Sequence, residues 1–422
     1  MLKTVLQVST LLFGVALLLT GHGLQLALIP LRAELMGWGS MSVGVLGSLY
    51  FAGFLVGCIS VPRLVARIGH VRVFATLTAL MTSAILMLAL FDSFAVWLVL
   101  RFFAGVSISG LYLVIESWLN EKTDNDVRGG VLATYTAIVL SSLAVGQMLL
   151  NVAAIEGSDL FIIAASLIVL AAIPICVTRT TAPAQIPEAA FSPMLVLRTS
   201  RVAALGAMTA GIIASVYYAL GPAYGLQVGM EIGAISSMMA LGIVGGALTL
   251  LPLGRMSDKI DRRIVIAGVM LAGALVSLIA GFVPLSMVPI MMFLFGACVM
   301  PIQALCLAHA SDNIENRSFL EVGTGLLIMN ASGSIVGPLA AAQVMQWYGS
   351  NAFFTFNAVV LGIGGICVIG LISLRTRTRD HFTRFHPVTT AAAQGALQLD
   401  PRVDETIDET TDETTDEQIV EE

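Results

Sequence analysis

Charge is what this sequence lacks most. Asp, Glu, Lys and Arg make up only 11% of its 422 residues, against 57% hydrophobic residues and a mean hydropathy of +0.92; such a chain cannot clothe a water-facing globule. Cysteine is also scarce. Cys58, Cys176, Cys298, Cys306 and Cys367 are odd in number, sit in apolar stretches and show no Cys-x-x-Cys or metal spacing; they read as small packing residues rather than as a disulfide framework. No Gly-x-x-x-x-Gly-Lys loop is present to bind ATP, and no His-x-x-x-His pair to hold a metal. Basic residues are confined to the flanks of apolar runs, so nothing points to nucleic acid, and no convergent catalytic set at one depth points to an enzyme. No cofactor and no metal site are expected.

Apolar runs of eighteen or more residues recur along the chain, each long enough to cross a hydrocarbon core about 30 Å thick as a helix. Breaks at charge, Pro and Gly place spans at 5–30, 41–61, 73–91, 94–118, 130–152, 160–178, 202–224, 231–252, 264–283, 286–308, 321–345 and 351–373. The first opens after Lys3 as a signal peptide would. Its apolar stretch is too long and lacks an Ala-x-Ala exit, so it is expected to stay as span 1.

The cationic residues then sort by side. Lys3, Arg63, Arg67, Arg72, Lys122, Arg128, Arg179, Arg198, Arg201, Arg255, Lys259, Arg262, Arg263, Arg317 and those of the C-terminal tail fall on one face, Arg32 on the other, and Arg101 within a span. By the positive-inside rule both termini are cytoplasmic. Trp38, Trp97, Trp118 and Trp347 fall at span ends, where interfacial aromatics belong. The net charge of -6 belongs to the tail: residues 400–422 carry eleven acids and one Arg, leaving the remainder at +4. With its Asp-Glu-Thr run and few apolar residues, the segment 375–422 reads as a disordered, solvated end.

The chain also repeats itself. A shift of 189 residues pairs Met41 with Met230, Gly44 with Gly233, Ser48 with Ser237, Gly53 with Gly242 and Gly57 with Gly246. A shift of 192 pairs Arg63 with Arg255, Arg67 with Lys259 and Ile68 with Ile260, and Arg128 meets Arg317 at 189 again. The expectation is an all-α membrane protein of about twelve helices in two pseudo-symmetric bundles of six, at 1–178 and 202–374, joined by a cytoplasmic linker at 179–201.

In the second half the loop after span 8 holds Gly254, Asp258, Lys259, Asp261, Arg262 and Arg263; in the first, Pro62 and Ala66 replace the Gly and Asp while Arg67, Gly69 and Arg72 remain. Span 4 contains Arg101 and Gly105 and ends in Glu-Ser-Trp-Leu-Asn at 116–120; span 11 carries Gly333, Gly337 and Pro338. This pattern, over residues 5–375, resembles the major facilitator superfamily, and the loop at 62–72 with the end of span 4 resembles its bacterial YcaD-like branch. The resemblance implies a secondary transporter of a small organic solute in a bacterial inner membrane, working by alternating access as a monomer, with proton coupling left open. A passive facilitator, and a non-transporting receptor or scaffold on the same fold, stay open beside it. Span 5 lacks the Gly-x-x-x-Gly-Pro of the superfamily's exchangers, which weakens drug efflux as a reading.

Arg101 is the sharpest candidate, because a guanidinium inside a membrane needs to face the bundle interior or snorkel to the surface. At about 100° per residue, Arg101, Gly105, Tyr112 and Glu116 share an arc of roughly 60° on span 4. Glu116, about 22 Å along the axis from Arg101, is expected to form a cytoplasmic gate with Arg67, Arg72 and Arg128, and Asp258 and Arg262 take that role in the second half. His22 and Gln25 share one face of span 1. By resemblance, spans 1, 4, 7 and 10 surround the substrate, which adds Tyr217 and Gln303 to His22 and Gln25 as cavity candidates; Asn330 on span 11 joins them. The pairs Gly53/Gly57, Gly242/Gly246 and Gly333/Gly337 are expected to pack helices backbone to backbone, with a kink at Pro338. His309 and Asp312 are expected at a solvated loop end.

Overall fold

The structure, a computed structural model, describes residues 2–121, 128–177, 193–312 and 319–374. Expectations placed on the Arg128 side chain, on Arg317, on residues 179–192 and on the acidic tail lie outside the described residues.

Helices follow the apolar runs. They are α1 (Leu2–Leu35), α2 (Gly39–Ile68), α3 (His70–Leu90), α4 (Phe94–Glu121), α5 (Arg128–Met148), α6 (Asp159–Leu170), α7 (Ala172–Val177), α8 (Pro193–Thr199), α9 (Arg201–Gln227), α10 (Ile232–Ser257), α11 (Arg262–Ala280), α12 (Val288–Val299), α13 (Ile302–Ser311), α14 (Phe319–Tyr348) and α15 (Ala352–Leu374). Among the described residues eleven helical stretches are long and apolar enough to cross a membrane. The remaining expected span is divided between α6 and α7: Pro174 has no N–H for the Leu170 carbonyl, and the helix breaks at Ala171.

A second break, between α12 and α13, falls at Pro301. Its missing N–H frees the carbonyl of Ala297, and the Thr249 hydroxyl of α10 donates to that oxygen at 2.7 Å. In lipid a freed carbonyl has no water to turn to, so a neighbouring hydroxyl is what makes the break tolerable. α2 and α3 part at Gly69, whose φ of +85° suits glycine alone among common residues.

The two halves pack alike. α1 lies on α5, α2 on α4 and α3 on α6; their counterparts are α9 on α14, α10 on α12 and α11 on α15. Between the halves α2 meets α14 and α5 meets α10, again as equivalents. The α2–α4 crossing has no room for side chains: a Cβ on Gly53 would strike the Phe102 carbonyl, one on Gly57 would come within 2.7 Å of the Val106 carbonyl, and one on Gly105 would strike that of Tyr50. Gly242 and Gly246 face Tyr217, Met300 and Gly296 in the α10–α12 region, and Gly333 and Gly337 face Met208 and Ile212 on α9.

The tryptophans depart from expectation. Trp97 and Trp118 are buried: Trp97 packs edge-on against Trp38 and donates to the Phe91 carbonyl at 2.6 Å, and Trp118 packs on Phe74 and His70. They tie helix ends to one another instead of facing lipid headgroups, as the exposed Trp347 is free to do.

Candidate functional site

A cavity lies between the halves. His22 and Leu26 of α1, Tyr50, Phe54 and Cys58 of α2 and Tyr112 of α4 line it from one side; Tyr218 of α9 with Thr324, Asn330 and Ser334 of α14 line it from the other. Counted together with the open space at its mouth, it takes up about 950 Å³. It runs from the level of Leu26 and Tyr218 to that of Cys58 and Thr324, toward the end that bears the α2–α3 turn. A recess sharing Leu26, Tyr50, Phe51 and Tyr218 continues the other way to Arg101.

Beyond the recess the halves close on each other. A Cβ on Gly44 of α2 would stand 2.7 Å from the Pro338 carbonyl of α14, so this contact depends on glycine. Gln227 at the end of α9 donates to the Ser40 hydroxyl at 2.8 Å and accepts from the Ser350 hydroxyl at 2.8 Å, and Asn151 donates to the Ser236 hydroxyl at 2.7 Å. The Ser40 and Asn151 bonds cross between the halves. At the same end Arg32 donates to the Glu156 carbonyl.

Arg101 is buried, 5% exposed, and does not snorkel. Its guanidinium carbon lies 4.2 Å from the centroid of the Tyr50 ring, and its Nε and Nη1 have no hydrogen-bond partner. The Tyr50 hydroxyl is 3.3 Å from His22 Nε2, and His22 Nδ1 is 2.8 Å from Gln25 Nε2. Gln25 thus braces His22 from behind and is fully buried. No Asp or Glu among the described residues lines the cavity or the recess.

Other candidates fall elsewhere. Tyr217 is turned from the cavity: its hydroxyl donates to the Met239 carbonyl and its ring packs on Phe295, while Tyr218, about 100° further round the helix, takes the wall position. Gln303 is buried behind the wall, where it accepts from Asn330 Nδ2 at 3.2 Å. Cys58, expected as packing, is on the wall. Tyr50, Tyr218, Thr324 and Ser334 are polar wall residues that sequence reasoning missed; α2 around Tyr50 is mostly apolar and small and gives little signal.

The described residues show only part of the expected gate of the first half, since the Arg128 side chain lies outside them. Glu116 is buried and accepts from the Tyr135 hydroxyl at 3.1 Å, but Arg67 and Arg72 point outward and are exposed. In the second half the cluster is compact: Arg262, 1% exposed, pairs with Asp258 at 3.0 Å and with Asp312 at 2.8 Å. His309 and Asp312 are therefore packed against the α10–α11 turn instead of solvated. There Asp261 caps α11 by accepting from the Arg263 amide at 2.9 Å. Burial alone would push its carboxyl up, but the bonds from Arg263 hold it below the ordinary carboxylate value.

Two like-folded bundles with a cavity between them, closed on each other at one end, define a multi-pass membrane transporter. The chain belongs to the Major Facilitator Superfamily, whose profile matches residues 11–320 and again 203–403. It is 30% identical over 365 residues to the uncharacterized MFS-type transporter YcaD of Salmonella arizonae, covering 84% of this chain and 92% of that one. Among solved structures it resembles the nucleoside transporter NupG, with a TM-score of 0.70 at 12% identity over 88% of this chain and 100% of that one. It also resembles a bacterial homologue of the lysosomal transporter Spinster in an inward-facing, unoccupied conformation, with a TM-score of 0.67 at 14% identity over 94% and 98% of the two chains.

Proposed function

We propose that this protein is a secondary transporter that carries a small organic solute across a bacterial inner membrane by alternating access, as a monomer with both termini in the cytoplasm. Its bundles are 1–178 and 202–374, with 179–201 as the cytoplasmic linker. The observation that carries this reading is a cavity walled by both halves and sealed at one end by Gly44 against Pro338 and by the Gln227–Ser40 bond. A seal made of contacts between halves opens when one half rocks on the other. With the basic loops inside, this is an inward-facing state. His22 is the titratable imidazole on the wall, the group through which any coupling to protons would run.

Counterflow in proteoliposomes tests the proposal. Solutes that stabilise the purified protein in a thermal-shift screen are expected to exchange across the bilayer; a ligand that binds without any exchange would turn the reading to a receptor. Exchange independent of pH would make the protein a passive facilitator. Labelling of cysteines introduced at 62–72 and 254–263 is expected from the same, cytoplasmic side.

A further inference from the structure

Arg101 is the unsettled charge of the cavity. A guanidinium keeps its charge in proteins, and a buried charge is tolerated when it is paired and hydrogen-bonded. Here the nearest compensation is the face of one tyrosine ring, which offsets part of the cost; Nε and Nη1 are unpartnered, and no carboxylate stands on the walls among the described residues. A neutral solute would leave that charge as it is, and a cation would be repelled by it. An anion completes it.

Building on the transporter reading, we infer that the solute is an amphipathic organic monoanion, such as a carboxylate or sulfonate. Its acidic group lodges in the recess against Arg101, within reach of the Tyr50 and Tyr218 hydroxyls, and its apolar body lies along Leu26, Phe51 and Phe54. One cation on the wall selects one negative charge, since a second would itself be buried without a partner. The remaining lining of the recess, from Ile29, Pro30, Val43, Leu46 and Ala219, is apolar, so the acidic group meets little else that can hold it.

Charge-selective thiol labelling tests this without knowing the natural solute. In full-length protein with its native cysteines replaced by serine, Leu26→Cys and, separately, Ser334→Cys report from opposite walls. Each is reacted with 2-sulfonatoethyl methanethiosulfonate, an organic monoanion, and with its 2-(trimethylammonio)ethyl counterpart, with rates normalised to free cysteine. The anion is expected to react about tenfold faster than the cation, the size of a single charge acting at close range in a partly screened site, and Arg101→Gln is expected to bring the two to parity. Parity or a cation preference with Arg101 intact would overturn the anion assignment and leave the transporter reading standing. A preference unchanged in Arg101→Gln would overturn Arg101 as its source. If neither reagent reaches either cysteine, the open cavity itself is wrong, and the transporter reading on which this inference rests falls with it.

Discussion

The guanidinium carbon of Arg101 stands 4.2 Å from the centre of the Tyr50 ring, and the hydroxyl of that same ring reaches His22 at 3.3 Å. One side chain thus joins the cation of α4 to the imidazole of α1, and its two ends can be tested apart. Tyr50→Phe keeps the ring beneath Arg101 and loses only the hydroxyl; it is expected to insert and fold normally and to alter the pH dependence of counterflow. Tyr50→Leu also removes the ring face, worth about 0.5–2 kcal/mol to a cation, and is expected to lower thermal stability further. Arg101→Ala is expected to abolish flux while membrane insertion persists. Normal flux in that variant would take Arg101 out of the mechanism.

Gln227 bridges Ser40 and Ser350 at the closed end. A hydrogen bond contributes about 0.5–1.5 kcal/mol net, so Gln227→Ala is expected to favour opening of this end by several-fold. The readout is faster modification of Leu26→Cys by a reagent added from the outer side. No change would mean that the contact of Gly44 with Pro338 holds the end closed without it.

Thr249→Val takes away the hydroxyl that serves the Ala297 carbonyl freed by Pro301. The expected loss is about 0.6–2 kcal/mol, the span measured for hydrogen bonds between membrane helices, seen as a lower unfolding midpoint in detergent. Thr249→Ser restores the bond and is expected to recover most of it.

Arg262 is nearly inaccessible between Asp258 and Asp312. Asp312→Ala leaves it with Asp258 as its remaining carboxylate here, so the loss is expected to fall below the about 3–5 kcal/mol of a buried charge left with no partner. The double change Arg262→Met with Asp312→Leu is expected to cost less than Asp312→Ala alone, because it buries no unpaired charge. Equal or greater loss in the double variant would show that the ion pair itself stabilises the turn.

The Tyr217 and Tyr218 outcome illustrates how far the sequence reaches. Resemblance pointed to Tyr217 on span 7, while its neighbour Tyr218 lines the cavity, because the choice between neighbours about 100° apart depends on where α10 and α14 stand. Tyr50 left little trace among its mostly apolar neighbours. For Glu116, the loops suggested Arg67, Arg72 and Arg128; the first two are exposed, and the Arg128 side chain lies outside the described residues. Arg101, His22, Tyr112 and Asn330, by contrast, were legible and line the cavity or its recess, since a polar group inside an apolar run has to turn inward.

What the sequence determined by itself is the set of spans and the duplication. The spans rest on transfer from water to lipid, a sum over one segment that needs no partner, and the duplication on residues matched at a fixed shift. Which face of each helix meets the cavity was decided by tertiary structure alone. Lipid tails are as apolar as the interior they surround, so a membrane helix carries little contrast between its outer and inner faces, and packing geometry supplies what hydropathy cannot.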